Sequence, residues 1–252
     1  MTDHWELLRA HTQARIGLGR TGNSLPTRRQ LEFTAAHAAA RDAVHAPLDV
    51  AGVSERLRAL GFGEPLVVAG AAPDRATYLR RPDLGRTLAR PLTWNGSTSD
   101  VGIALCDGLS ATAISAHGPD LAAAIVAALP GLTVGPPVIA TQARVALGDH
   151  VGAALGVTTM LVLIGERPGL SVADSVGVYL THHPRPGRTD AERNCVSNVH
   201  PPGGLGYEHA ARVVASLVDG ARALGSSGVA LKDSSRGPAL EDTSRGPGVP
   251  PT

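Results

Sequence analysis

Ten residues constrain this chain more than any other stretch. Met160-Leu161-Val162-Leu163-Ile164 is an unbroken apolar run, followed by Gly165, the charged pair Glu166-Arg167, and Pro168-Gly169. A run of that kind reads as a strand buried on both faces. Pro168 fixes its own backbone and pushes Arg167 out of the helical region, so the chain turns sharply. A carboxylate and a guanidinium are then held on a stiff turn at the carboxyl end of a core strand, the edge at which open α/β sheets bind ligands. A solvated turn with an incidental ion pair fits the same ten residues equally well, and the surrounding chain has to decide between the two.

The length of 252 residues allows a large core and lies at the edge between one domain and two. Aromatic residues make up only 3%, so the core must be built from Ala, Val, Leu and Ile. A net charge of +1 provides no overall field toward nucleic acid or an anionic membrane. Cys106 and Cys195 form neither a disulfide framework nor a zinc site, and suggest a reducing compartment. The first residues, MTDHWELLRAH, are polar and amphipathic, unlike a signal peptide, and no apolar stretch is long enough to cross a bilayer. A soluble, cytoplasmic protein is expected.

Residues 1–94 read as a helical region. Trp5, Leu7 and Leu8 belong to a first helix; Thr27 to His45 forms a stronger one behind Pro26, with Leu31, Ala35, Ala38, Ala39 and Val44 on one side. Asp49 caps a third helix that Gly61 ends, and Leu66-Val67-Val68-Ala69 is a short strand. Gly17, Gly19 and Gly22 meet the spacing of a dinucleotide fingerprint, but polar HTQAR precedes them where the fingerprint needs a strand, so the reading is rejected. Arg15 and Arg20 beside those glycines fit an anion site or a solvated basic loop.

From Asp100 the rhythm becomes strand, helix, strand. Val101–Cys106, Pro137–Ala140, Met160–Ile164 and Val176–Leu180 read as strands, and Ser227–Leu231 as a last edge strand. Helices are expected from Ser110 to about Leu129, from Asp149 to Leu155, and from Tyr207 to Leu224; residues 182–204 read as a long loop. Alternation at this spacing predicts a Rossmann-like, doubly wound, mainly parallel sheet over 95–233. The tail 234–252, with its repeated SSRGP and TSRGP, is expected to be disordered.

Three places then converge on the carboxyl edge: Asp107-Gly108-Leu109-Ser110, Arg144-Val145, and Gly165-Glu166-Arg167. Asp107 is expected to cap the helix that follows it. A fourth element, Asp190 to Asn198, is a polar loop holding Cys195 beside Arg193. No G-x-S-x-G elbow and no P-loop occur, and His182-His183 lacks the spacing of a helical metal pair. A ligand edge without a self-contained catalytic apparatus points to a cofactor-binding subunit. A stand-alone α/β nucleotide-binding protein or enzyme using the Asp107/Glu166 edge is the alternative.

Several segments together resemble one family: TQARIGLGRTGNSLPT, RDAVHAPLD, YLRRPDLGR, CDGLSATA, QARVALGD, VLIGERPGL, SVGVYL and RTDAERNCVSN. GERPGL followed by ERNCVSN is the specific part. The chain resembles, from about Thr12 to Lys232, the small (light) subunit of adenosylcobalamin-dependent ethanolamine ammonia-lyase. The resemblance implies a hetero-oligomer whose large subunit, a (β/α)₈ barrel, converts ethanolamine to acetaldehyde and ammonia by radical chemistry. It implies that the small subunit covers the lower face of the cobalamin and carries no catalytic residue. Val145, Glu166 and Cys195 match the family's cobalamin contacts. The D-x-H-x-x-G motif of enzymes that place a histidine on cobalt is missing, so adenosylcobalamin is expected base-on, with no metal ligand from this chain. The helical region 1–94, with Arg15, Arg20, Arg80, Arg81 and Arg86, is expected to face the large subunit. The setting implied is cytoplasmic, free or within a bacterial microcompartment.

Overall fold

In the computed structural model, which describes residues 4–235, the elements run α1 (His4–Arg9), α2 (Thr27–His45), α3 (Val50–Ala59), β1 (Leu66–Ala69), α4 (Arg75–Arg80), β2 (Val101–Cys106), α5 (Ala111–Ala127), β3 (Val138–Thr141), α6 (Leu147–Leu155), β4 (Thr159–Gly165), β5 (Val176–His182), β6 (Asn194–Val199) and α7 (Tyr207–Leu224). The apolar run is the sheet's centre. Every residue of β4 is buried, as is every residue of β2 beside it. Alternate residues serve two cores. Ile103, Leu105, Leu161 and Leu163 pack under α3, α5 and α7; Ala104, Cys106, Val162 and Ile164 pack under α6. Each fully buried Leu or Ile contributes about 1.5–3 kcal/mol by leaving water.

The α/β expectation holds, but the sheet is mixed, in the order β1-β3-β2-β4-β5-β6. The first four strands are parallel; β5 runs antiparallel to β4, and β6 antiparallel to β5. The reason lies in the connection between β4 and β5, which contains no helix. A parallel return needs a crossover of about a dozen residues or more, normally a helix, and 166–175 is too short to supply one. Two further expectations change. The stretch 182–204 is not all loop: Asn194–Val199 forms the edge strand β6, with only Val196 and Val199 buried. Ser227–Leu231 is not a strand; it fastens onto the start of β6 and the turn before it through Gly228 N–H to Asn194 Oδ1 (2.7 Å) and Val229 N–H to the Ala191 carbonyl (3.2 Å). Of the tail, Ser234 and Ser235 are described, and the expectation of disorder otherwise falls outside the described residues.

The two faces are covered unequally. Three helices lie on one, whereas α6 and the residues around Leu88, Leu92 and Trp94 lie on the other. The N-terminal helices contribute little: α1 buries no residue and α2 buries only Ala43. Among the described residues, no helix is long and apolar enough to cross a membrane.

Candidate functional site

On the α6 side, at the carboxyl edge of β2 and β4, the surface sinks into a cleft of about 460 Å³. Gly108, Leu109, Arg144, Val145, Ala146, Ile164, Gly165, Glu166, Arg167 and Tyr179 line it, with Pro82, Arg86 and Asp190. The loops after β2 and β4 meet there because both carry glycine. Leu109 N–H donates to the Gly165 carbonyl at 2.9 Å, and a Cβ on Gly108, whose φ is +53°, would collide with that oxygen.

Glu166 is held from two sides, by the segment entering β5 and by β6. Its backbone N–H donates to the Ser175 carbonyl (2.9 Å), closing the 166–175 loop across the mouth of β4 and β5. One carboxylate oxygen, Oε2, accepts the Asn198 N–H at 3.1 Å. The other, Oε1, lies over Gly177, where an added Cβ would come within 3.0 Å, and it carries no hydrogen bond among the described residues. A charged acceptor is therefore held in place with lone pairs to spare. The bond from Asn198 requires that residue's left-handed backbone, φ +62°, a conformation Asn tolerates better than most.

Val145 also lines the cleft, half-buried against the α6-side core. Cys195 is not a lining residue. It sits on β6 opposite Tyr179 of β5, which in turn lies opposite Val162 of β4, so it shares the α6 face and flanks the cleft through the Tyr179 ring. Although Cys195 is exposed as a residue, loss of water around its sulfur pushes the thiol above its ordinary value, opposed by the neighbouring Tyr179 hydroxyl and reinforced by the Glu166 carboxylate. The Tyr179 hydroxyl is itself pushed up to about 12, first by burial and then by Cys195. At neutral pH this flank is uncharged, a soft sulfur and an aromatic face beside one carboxylate.

Asp107 does not cap α5. Ser110 does, its Oγ accepting the Ala113 N–H at 3.2 Å. The Asp107 carboxylate instead ties down the loop after β3, accepting Gln142 N–H (2.8 Å), Ala143 N–H (3.0 Å) and Arg75 (3.2 Å). Burial raises its pKa against those bonds. With both oxygens used internally, Asp107 supplies no ligand group to the sheet edge. The loop it holds delivers Arg144, whose guanidinium lies 4.5 Å from the centre of the Tyr78 ring; Arg75 lies 4.8 Å from the same ring. Tyr78 is buried, and its hydroxyl donates to the Ala143 carbonyl at 2.9 Å.

The basic residues of the N-terminal region go to several places. Arg86 reaches the cleft and approaches Asp190 at 3.4 Å; Arg81 pairs with Asp83; Arg15 donates to the Leu170 carbonyl in the Glu166 loop at 2.8 Å. His182 ends β5 at the other end of the sheet from the cleft, its ring engaged with Thr159.

Sequence reasoning missed the clamp that holds the Cys195 segment. Arg193 forms two 2.7 Å bonds to Asp149 at the start of α6 and a third to Thr181, with both charged side chains only 2% exposed. Nothing local marks that pair. A second omission was legible: Thr189-Asp190-Ala191-Glu192 is a capping box, which predicts the short helical turn seen at Asp190–Glu192.

The carboxyl edge of this α/β sheet is thus a cleft with one fixed carboxylate beside a neutral aromatic–sulfur flank, the kind of place where α/β proteins bind ligands. The family can be named from comparison. The ethanolamine ammonia-lyase light chain (EutC) family profile matches residues 2–232. A protein of Rhodococcus erythropolis named ethanolamine ammonia-lyase small subunit is 63% identical over 235 residues, covering 93% of this chain and 91% of the relative. Proteins of the same name from Rhodopseudomonas palustris (50%, covering 90% and 89%) and Ralstonia nicotianae (47%, covering 92% and 88%) are similar as well. The chain belongs to the ethanolamine ammonia-lyase light chain family.

Proposed function

We propose that this chain acts as the small subunit of an adenosylcobalamin-dependent ethanolamine ammonia-lyase. In this reading it covers the lower face of the cofactor while the large subunit converts ethanolamine to acetaldehyde and ammonia. The observation that carries the reading is that Glu166 and Val145 line one cleft, with Cys195 on the same sheet face beside it.

The residues present fit such a group. A corrin is a broad apolar disc fringed by amide donors and acceptors, and the cleft offers both kinds of surface. Val145 and Ile164 supply apolar contact, and Cys195 supplies a small, neutral, polarisable one. Glu166 Oε1 offers an ionised acceptor to an amide or hydroxyl, a stronger bond than a neutral acceptor makes. A cleft of about 460 Å³ open to one side cannot enclose a corrinoid, which supports a site closed by a second chain. When bound, adenosylcobalamin supplies the radical that starts the reaction. This chain's residues bind it, orient it, keep water from its lower face, and leave its own dimethylbenzimidazole on cobalt. The region 1–94 faces the large subunit in this reading, supported by the exposed Trp5, Leu7, Leu8, Leu31 and Phe33. The complex resides in the cytoplasm, free or inside a microcompartment.

The test is Glu166→Ala in the two-chain complex. Loss of a charged acceptor is expected to weaken cobalamin retention by about tenfold or more in equilibrium dialysis. Unchanged affinity would count against the reading.

A further inference from the structure

Among the described residues, the part-buried arginines have acceptors, with one exception. Arg56 donates to the Ser115 and Ala116 carbonyls and to Asp120, Arg75 to the Val44 carbonyl and Asp107, Arg188 to Glu192, and Arg193 to Asp149. Arg144 has none among the described residues: its Nε is buried without a hydrogen-bond partner, and no ion pair is formed. An unpaired, partly desolvated cation is costly, which makes its position informative.

That position is the cleft. Arg144 is a lining residue immediately before Val145, and α6 begins nearby at Leu147, turning its N-terminal end toward the same segment. The guanidinium is also held in place. It stacks on the Tyr78 ring at 4.5 Å, its backbone N–H is bonded to the Gly85 carbonyl at 2.8 Å, and a Cβ on Gly85 would come within 2.9 Å of Arg144 Cγ. The charged side chains lining the cleft are Arg86, Arg144 and Arg167 against Glu166 and Asp190, three cations to two anions, with Arg86 already facing Asp190. One positive charge is left over. Arg is suited to a phosphoryl group because its planar fork donates two parallel bonds to it.

We propose that Arg144 is the anion-binding residue of the cleft and takes the phosphodiester of the cofactor's nucleotide tail. This rests on the cobalamin reading above, because that phosphodiester is the anionic group on the periphery of an otherwise amide-fringed ligand. Arg144 then fixes the tail from one side of the cleft while Glu166 meets the amide fringe from the other. The orientation of the corrin is set by one cation and one anion.

The experiment measures binding of three corrinoids to the two-chain complex: cobalamin, cobinamide phosphate, which keeps the phosphate without the base, and cobinamide, which has neither. Arg144→Met is expected to weaken the first two by about ten- to a hundredfold and leave cobinamide unchanged. Unaltered cobinamide binding also shows that the variant's cleft is intact. Arg144→Lys, which keeps the charge and loses the fork, should fall between wild type and Arg144→Met for the two phosphate-bearing ligands. Equal loss for all three ligands, or no loss for any, overturns the proposal. A wild-type complex that binds none of the three would instead overturn the cobalamin reading itself.

Discussion

Helices α2 and α7 have almost the same length, 19 and 18 residues, yet opposite fates. On α7, Ala210, Ala211, Val214, Leu217, Val218 and Ala221 form one stripe and are all buried against the sheet. On α2 only Ala43 is buried; Leu31 is 64% exposed and Phe33 40%. Their ionic contacts differ in kind. Those on α2 are local surface pairs, Glu32 with Arg28 and Arg29 one turn away. Arg222 of α7 instead crosses to Asp100 at the entry to β2, 122 residues distant in sequence. Tertiary burial supplies most helix stability. The core therefore accounts for α7 as a helix, whereas α2 carries apolar residues that nothing among the described residues covers. In the proposed assembly the large subunit supplies that cover.

The sharpest challenge to this contrast is a matched pair of truncations. Leu217→Ala in α7 is expected to cost about 2–4 kcal/mol in denaturant unfolding, because it opens a cavity beneath a packed helix. Leu31→Ala in α2 should stay within about 0.5 kcal/mol, as surface substitutions do. Equal costs would show that α2 is buried after all.

Next in size is an effect on assembly rather than folding. Leu31→Asp should leave the melting of the isolated chain unchanged, and should weaken its association with the large subunit by about tenfold or more if that face is a docking anchor. Normal assembly would remove the proposed explanation for the exposed face.

The smallest effect concerns the anchor of α7. Asp100 accepts from the Thr133 hydroxyl (2.7 Å) and backbone N–H (2.9 Å) and from Arg222 (2.9 Å). These contacts, led by the Thr133 hydroxyl, hold its carboxyl at about 2. Its folded pKa is depressed, so its contribution is complete above the unfolded value near 4 and is lost as pH falls from about 4 toward 2. Asp100→Asn should flatten that part of the stability profile. A profile identical to wild type would show that the contact is immaterial.

How much of this was legible follows from how local each cause is. The strands VGIALC and TMLVLIG announce themselves because burial on both faces leaves no polar interruption, and α2 and α7 have their predicted ends because flanking Pro26, Gly206 and Gly225 mark them. The Glu166 turn was readable for the same reason, being built from adjacent residues. The edge strand β6 was not: NCVSNV faces solvent at most positions and looks like loop. Asp107 was misassigned because its partners lie 35 and 36 residues later, while a competing cap, Ser110, lies three residues on. Val145 and Cys195 lie in segments that the local pattern had singled out, but their role as cofactor contacts was marked by resemblance alone; no local physics gives that role to a valine or an exposed cysteine.

The central claim is that a corrinoid lies across this cleft between two chains. A crystal structure of the complex with the large subunit and hydroxocobalamin tests it directly. The account predicts a base-on corrin whose edge contacts Val145, Glu166 and Cys195 on the α6 side of the sheet. A corrin seated elsewhere, with solvent in the cleft, would contradict it.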